Sequence, residues 1–171
     1  IYDEDFKEVL VRWFEFGAFC PVFRLHGFRE PFKEPLGTTG GGKSISGAEN
    51  EVWSYGDEVY GICKKYLELR EKMLPYVKRL MTEAHEKGTP VMRPLFYDGK
   101  CWETEDEYMF GPEILVAPIL YEKQRERTLY LPEGEWRSLN DGSVYKGGCM
   151  ITCDAPIDAI PVFVKKGCLE E

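Results

Sequence analysis

Arg12-Trp13-Phe14-Glu15-Phe16-Gly17-Ala18-Phe19-Cys20-Pro21-Val22-Phe23-Arg24-Leu25-His26-Gly27 reads as the end of an amphipathic helix, a tight turn, and a short buried strand with a histidine at its C-terminal tip. In α/β folds, ligands are met at the C-terminal ends of strands. The two ring nitrogens of His26 could there hydrogen-bond neighbouring hydroxyls of a small polar ligand. The competing reading of His26 is a satisfied core histidine that caps a strand. The other histidine, His85, lies in a helical polar context.

Upstream, Phe6, Val9, Leu10, Trp13, Phe14 and Gly17 recur at helical spacing behind acids at the start. That predicts a helix over residues 4–18 with one apolar face, and Gly17 suits its end. Residues 21–26 are too short for anything but a strand. Residues 27–55 lose all periodicity among glycines, prolines and scattered charges, which predicts a long surface loop, either functional or disordered. The 3.6 period returns from 57 to 87 in Val59, Ile62, Tyr66, Leu69, Met73, Val77, Leu80 and Ala84. Pro75 should kink or divide that helix, and Gly88, with Pro90 close behind, should end it. Beyond Gly88 the texture changes to short apolar runs, at 91–96, 108–110, 114–120, 128–131, 135–139, 144–145, 150–153 and 160–164. Turn signals separate them, among them Asn140-Asp141-Gly142 and Lys146-Gly147-Gly148, and the spacing predicts an antiparallel β-sandwich. The chain is therefore expected to divide into residues 1–87 and residues 88–171.

Composition narrows the function classes. With 171 residues, 43% of them hydrophobic, the chain can bury one core or two small ones. No apolar run approaches the roughly 20 residues of a membrane span, so no membrane partner is expected. The net charge is −8 with both signs interspersed, which argues against nucleic-acid binding, since that needs Lys and Arg massed against phosphates. Six cysteines (20, 63, 101, 149, 153 and 168) form no Cys-x-x-Cys pair and have no histidine beside them. No metal site, no cofactor and no disulfide framework is expected, and a reducing compartment, the cytoplasm, follows. The chain starts at Ile1 without a visible leader and runs directly into a periodic apolar pattern, which predicts a piece of a longer protein.

Several motifs compete for attention. Gly37-Thr38-Thr39-Gly40-Gly41-Gly42-Lys43-Ser44 matches the phosphate-loop pattern at every fixed position. Its context opposes a nucleotide site: Phe32-Lys33-Glu34-Pro35-Leu36 is no buried strand, and Ile45-Ser46-Gly47 opens no helix to support the anion. Glu103, Glu105, Asp106 and Glu107 read as a solvated surface, since paired carboxylates become catalytic only when a fold sets them about 5–10 Å apart across a bond. Trp53, Tyr55, Trp102 and Trp136 read as packing residues, although Trp53 and Tyr55 could offer a flat apolar surface to a sugar ring.

The residues in order carry a resemblance. Arg12-Trp13-x3-Gly17-Ala18-Phe19-x-Pro21-x2-Arg24-x-His26, followed by Glu30-Pro31-Phe32, resembles the last part of the catalytic barrel of glycoside hydrolase family 31, which includes α-glucosidases and α-xylosidases. The similarity continues through Asn50-Glu51-Val52-Trp53-Ser54-Tyr55-Gly56, Leu69-Arg70-x3-Leu74-Pro75-Tyr76 and Gly88-Thr89-Pro90-Val91-Met92-Arg93-Pro94-Leu95-Phe96. It runs on through Tyr108-Met109-Phe110-Gly111-Pro112, Leu115-Val116-Ala117-Pro118, Arg127-x2-Tyr130-Leu131-Pro132-x-Gly134-x-Trp136 and Ile160-Pro161-Val162-Phe163-Val164. The segment from Asn50 to Gly56 looks more like the α-xylosidase branch.

The resemblance implies a mixed α and β fold: the last helix–strand–helix units of a (β/α)8 barrel over 1–87, then an antiparallel β-sandwich over 88–171. It implies a retaining hydrolase acting on α-linked oligosaccharides or glycosides, in which one aspartate attacks the anomeric carbon and another protonates the leaving oxygen. Those aspartates belong to barrel strands that precede this stretch, and neither Asp3 nor Asp5 sits in their motif. His26 carries over as a residue that binds hydroxyls of the sugar being cleaved, and Arg24 as a structural partner of an acid beneath it. The chain by itself is expected to be inactive. Its apolar helix faces and Val22 and Phe23, lacking barrel partners, should drive either self-association or a rearranged N-terminal half. The rival reading is a non-catalytic carbohydrate-binding or scaffold module in which the β-rich half presents Trp102 or Trp136 to a glycan.

Overall fold

The computed structural model describes residues 4–25, 50–98 and 101–169. Three helices lead: α1 (Glu4–Ala18), α2 (Asp57–Lys72) and α3 (Leu74–Lys87). Eight strands follow: β1 (Met92–Pro94), β2 (Tyr108–Phe110), β3 (Ile114–Val116), β4 (Glu126–Leu131), β5 (Glu135–Ser138), β6 (Val144–Lys146), β7 (Cys149–Asp154) and β8 (Val162–Lys165). Each apolar run read from the sequence beyond Gly88 overlaps one of them.

Helices α1 and α2 run parallel. Phe6, near the start of α1, lies 6.1 Å (ring centroids) from Tyr55, which just precedes α2. At the other end Arg70, in the last turn of α2, donates to the carbonyl of Ala18, the last residue of α1. A 16-residue helix is about 24 Å long. The chain between the helices must therefore return that length before α2 begins. Consecutive helices that run parallel are a feature of βα-barrels.

The return itself departs from expectation. Residues 21–25 form no strand, and residue 26 lies outside the described residues. A strand exists only by pairing, and among the described residues no neighbour pairs with this stretch; its first carbonyl, Pro21 O, is taken by the Arg70 side chain instead. The face that α1 buries also differs. Val11, Phe14, Glu15 and Ala18 are buried, whereas Phe6, Val9 and Trp13 stay exposed, so the buried stripe sits about a third of a turn round from the expected one.

Pro75 divides the second helical stretch as predicted. It occupies the first turn of α3, where its missing N–H costs nothing, and fully buried Met73 forms the joint. Gly88 ends α3 in the left-handed region (φ 69°), donating to Ala84 O at 3.0 Å.

The strands form a six-stranded sheet of order β1-β2-β3-β8-β5-β6 and a two-stranded ladder β4-β7, each adjacent pair antiparallel. The large sheet is covered on both faces. Phe110, Ile114, Val116, Val162 and Val164 join the helices in one core. Leu115, Trp136 and Phe163 point the other way, onto Leu129 and Leu131 of β4. That two-sided burial explains why β3 (Ile114-Leu115-Val116) and the apolar part of β8 (Val162-Phe163-Val164) are unbroken apolar runs, while β4 alternates.

Polar ties cross between the helices and the strands. Arg12 pairs with Glu15 (2.9 Å) and donates to the carbonyls of Ala155 (2.9 Å) and Pro156 (3.0 Å). The hydroxyl of Tyr66 accepts the Ile160 N–H at 3.0 Å, and Tyr76 donates to Phe110 O at 2.8 Å. Gly111, at the β2–β3 turn with φ 66°, is pressed against the Tyr76 hydroxyl and Leu80, leaving no room for a Cβ.

Candidate functional site

The segment that leads to His26 is built at the exit of α1. The last turn tightens, with Phe19 N–H donating to Phe16 O and Cys20 N–H to Gly17 O, both at 3.0 Å. Arg70 then clamps the turn, Nη1 donating to Ala18 O and Nη2 to Pro21 O, each at 2.9 Å. Tyr108 of β2 donates to Phe19 O at 3.0 Å. Phe23 turns back against the helix, its ring edge-on to Phe14 with centroids 4.8 Å apart. A Cβ on Gly17 would stand 3.1 Å from the Phe23 ring, so the glycine is what lets the ring close on the helix. Val22, between the two anchored residues, is 76% exposed. His26 lies three residues beyond Phe23 and outside the described residues, as do the glycine-rich stretch 37–44 and its phosphate-loop reading.

The chain re-enters the described region at Asn50, and this end is anchored too. Glu51 accepts from the Asn50 N–H (3.0 Å) and from the Ser54 hydroxyl (3.1 Å), and Tyr55 donates to Asn50 Oδ1 (2.9 Å). The 3-10 turn Val52–Tyr55 buries Tyr55 and turns Trp53 outward. The aromatic pair considered for a sugar surface is thus split: Tyr55 packs inside, and only Trp53 is presented.

The other candidates separate in the same way. Trp136 is 1% exposed and Trp102 is 69% exposed, stacked on Phe96 with centroids 5.2 Å apart and planes at 5°. Trp53 and Trp102 are therefore not the packing residues that the sequence reading took them for. The acids at 103–107 are no uniform solvated surface either. Asp106 pairs with Arg127 at 2.8 Å. Glu107 is buried, accepts the Tyr130 N–H at 2.9 Å, and is pushed up to about 7 by burial. Arg24 is exposed and makes no ion pair among the described residues. Among those residues no group of three or more His, Cys, Asp or Glu side chains could hold a metal ion, and no helix is long and apolar enough to cross a membrane.

Arg70 makes contacts to which the sequence, offering it only within the Leu69-Arg70-x3-Leu74-Pro75-Tyr76 motif, assigns no role. It occupies the stripe that Tyr66, Met73 and Val77 bury, at i+4 from Tyr66 and i−3 from Met73. A charge on an apolar stripe signals a buried polar contact. Burial lowers its pKa, and the guanidinium carbon sits 5.9 Å from the Phe110 ring centroid.

Comparison with known proteins places both halves. A model described as the Glycosyl hydrolases family 31 TIM-barrel domain matches residues 2–80, and one described as the Glycosyl hydrolase family 31 C-terminal domain matches residues 88–169. Alpha-glucosidase 2 of Bacillus thermoamyloliquefaciens is 36% identical over 94% of this chain and 19% of its own length. An alpha-xylosidase of Saccharolobus solfataricus is 34% identical over 95% of this chain and 20% of its own. Among solved structures, a GH31 alpha-xylosidase from a soil metagenome, complexed with xylose, superposes with a TM-score of 0.87 at 53% identity, covering 96% of this chain and 25% of that one. The chain spans about a fifth of the length of these curated relatives.

Proposed function

Since this chain belongs to glycoside hydrolase family 31, we propose that it is the C-terminal part of a retaining α-glycoside hydrolase that removes terminal α-linked sugars. Residues 1–87 finish the catalytic barrel and residues 88–171 form the β-unit beside it. The observation that carries the reading is the 53% identity to a xylose-complexed α-xylosidase across both halves, at a TM-score of 0.87. It favours an α-xyloside over an α-glucoside as substrate. The nucleophilic and acid carboxylates come from other barrel strands of the complete enzyme, and this chain supplies His26 to hydroxyls of the sugar under attack. Alone, the chain lacks the reacting groups and does not turn over substrate.

The test is His26→Ala in the complete enzyme, assayed on an aryl α-xyloside. Losing a pre-aimed hydrogen-bonding group should lower kcat/KM by about 100-fold. Unchanged kinetics would remove His26 from the site, and turnover by the isolated 171 residues would remove the division of labour.

One observation favours a second reading of the β-half. Trp102 lies exposed and stacked on Phe96, a flat apolar platform of the kind that sugar rings pack against. Trp136 cannot serve that reading, being buried. Titration of xylo- and malto-oligosaccharides against tryptophan fluorescence decides it. Saturable millimolar binding that Trp102→Ala abolishes would establish a glycan module, and a flat titration would dismiss it.

A further inference from the structure

We infer that the cleft beside Trp102 binds a neutral oligosaccharide, with Thr128 and Glu107 as the groups that read its hydroxyls; this rests on Trp102 as a sugar platform, the second reading above. The cleft measures about 670 Å³ and is lined by the segment 101–107 and by Thr128, Tyr130 and Met150 of the β4–β7 ladder. Strand alternation turns Thr128 and Tyr130 away from Leu129 and Leu131, which enter the core. Register sets Thr128 against Thr152 and Tyr130 against exposed Met150. The floor is therefore apolar at one end and hydroxyl-bearing at the other. The Thr128 and Thr152 hydroxyls lie 2.9 Å apart, and between them they keep one O–H and spare lone pairs for a ligand.

The opposite wall is pinned to β4. Arg127 Nη2 donates to Asp106 O and pairs with the Asp106 carboxylate, both at 2.8 Å, and Glu107 accepts the Tyr130 N–H at 2.9 Å. Trp102 has one face laid on Phe96, and its large exposure leaves the other face uncovered. The platform is thus fixed before a ligand arrives, and binding has little side-chain freedom to remove. A sugar ring presents an apolar C–H face and a rim of hydroxyls, so it fits a flat aromatic surface flanked by oxygen acceptors.

Glu107 is the group that points to a ligand. It lines the cleft, is buried, and its Oε2 has no hydrogen-bond partner. A buried carboxylate oxygen without a donor is costly, and a ligand hydroxyl supplies that donor directly or through one water. Charge sets the class of sugar. Among the described residues, those that line the cleft include the carboxylates of Glu103, Asp106 and Glu107 and no lysine, arginine or histidine. An acidic sugar would bring its own carboxylate against like charge, so a neutral one fits.

The experiment titrates this 171-residue chain at pH 8 with a neutral xylo-oligosaccharide and with an oligogalacturonate, in which every ring carries a carboxylate, following tryptophan fluorescence. The neutral sugar should bind with a millimolar or tighter Kd, and the acidic one at least about tenfold more weakly. Thr128→Val and Glu107→Gln should each raise the Kd for the neutral sugar by about 3- to 10-fold, the worth of one hydrogen bond. Glu107→Gln keeps an acceptor for Tyr130 and removes a buried charge, so a loss there is not a loss of fold. Binding that depends on Trp102 but on neither Thr128 nor Glu107 would overturn the inference and leave the platform standing. Equal affinity for the oligogalacturonate would do the same. A titration that stays flat with both sugars overturns the inference and the platform together.

Discussion

Glu107 follows Glu105 and Asp106 in a run of acids, yet its side chain turns inward and is 5% exposed. One oxygen accepts the Tyr130 N–H, and the other has no hydrogen-bond partner. Burial outweighs both that bond and the Arg127 guanidinium, and lifts the group from 4.5 to about 7. In the unfolded chain the same carboxyl ionises near its ordinary value. Between those limits the folded state binds more protons, so this group stabilises most below about pH 4.5, and that contribution is lost as pH rises through about 7. The difference is on the order of 3 kcal/mol at most. Glu15, also pushed up to about 7 by burial, acts with the same sign. Glu107→Gln keeps an acceptor for Tyr130 and carries no charge. It should raise the urea midpoint at pH 8 and leave it nearly unchanged at pH 5, where the wild-type carboxyl is already protonated. A variant no more stable than wild type at pH 8 would show that burial is not straining this carboxylate. Nothing in the sequence distinguished Glu107 from the acids beside it, because its inward turn is set by the pairing of β4 beside it and not by local pattern. Arg70, by contrast, is legible as a charge on an otherwise apolar stripe, at i+4 from Tyr66 and i−3 from Met73.

At the scale of elements, what could be read depended on how much of the structure is local. The strands beyond Gly88 are short apolar runs cut by turns, and the turn chemistry is local: Gly142 N–H closes on Ser138 O at 3.0 Å, and Asp141 accepts the Ser143 N–H at 3.0 Å. The break at Met73 was equally plain from Pro75. Helix α1 was not, because apolar residues occur on nearly every side of it. Phe6, Val9, Leu10, Val11, Trp13, Phe14 and Phe16 leave several stripes open, and the one that is buried includes Ala18 and the ion-paired Glu15. Only the partners, Tyr66 and the face of the large sheet, decide between the stripes. The missing strand at residues 21–25 has the same cause. Its residues alternate between half-buried and exposed through Pro21, Val22 and Phe23, but pairing needs a neighbour that these residues cannot supply. The proposed site rests on the resemblance around His26, which with residues 27–49 of the expected loop lies outside the described residues, and the anchoring at residues 18–23 is visible only in the structure.

At the scale of the whole molecule, the halves on either side of Gly88 share a core. Phe110, Ile114 and Val162 pack with Val59, Tyr66 and Leu80, and buried tyrosine hydroxyls bridge the two. The β-half therefore stays joined to α1–α3 in this chain, and what the shared core leaves open is the far side of α1. There Val9, Trp13 (67% exposed) and Phe16 face Leu120 and Tyr121 across an apolar groove of about 330 Å³, with Val22 also uncovered. Each large apolar side chain left in water forgoes about 1.5–3 kcal/mol of burial, so copies of the isolated chain should meet through this face. The net charge of −8 opposes that meeting. Repulsion between like-charged copies acts over a Debye length, about 10 Å at 0.1 M salt, and is removed by more salt, whereas apolar burial is not. Sedimentation should therefore show a mean mass that rises with concentration, and rises further at high salt. Trp13→Glu, on the exposed side of α1 and away from the core, should return the chain to monomer without altering its helix content. A mass that stays at one copy at high concentration and high salt would mean that the uncovered face of α1 is too small or too hydrated to hold a second chain.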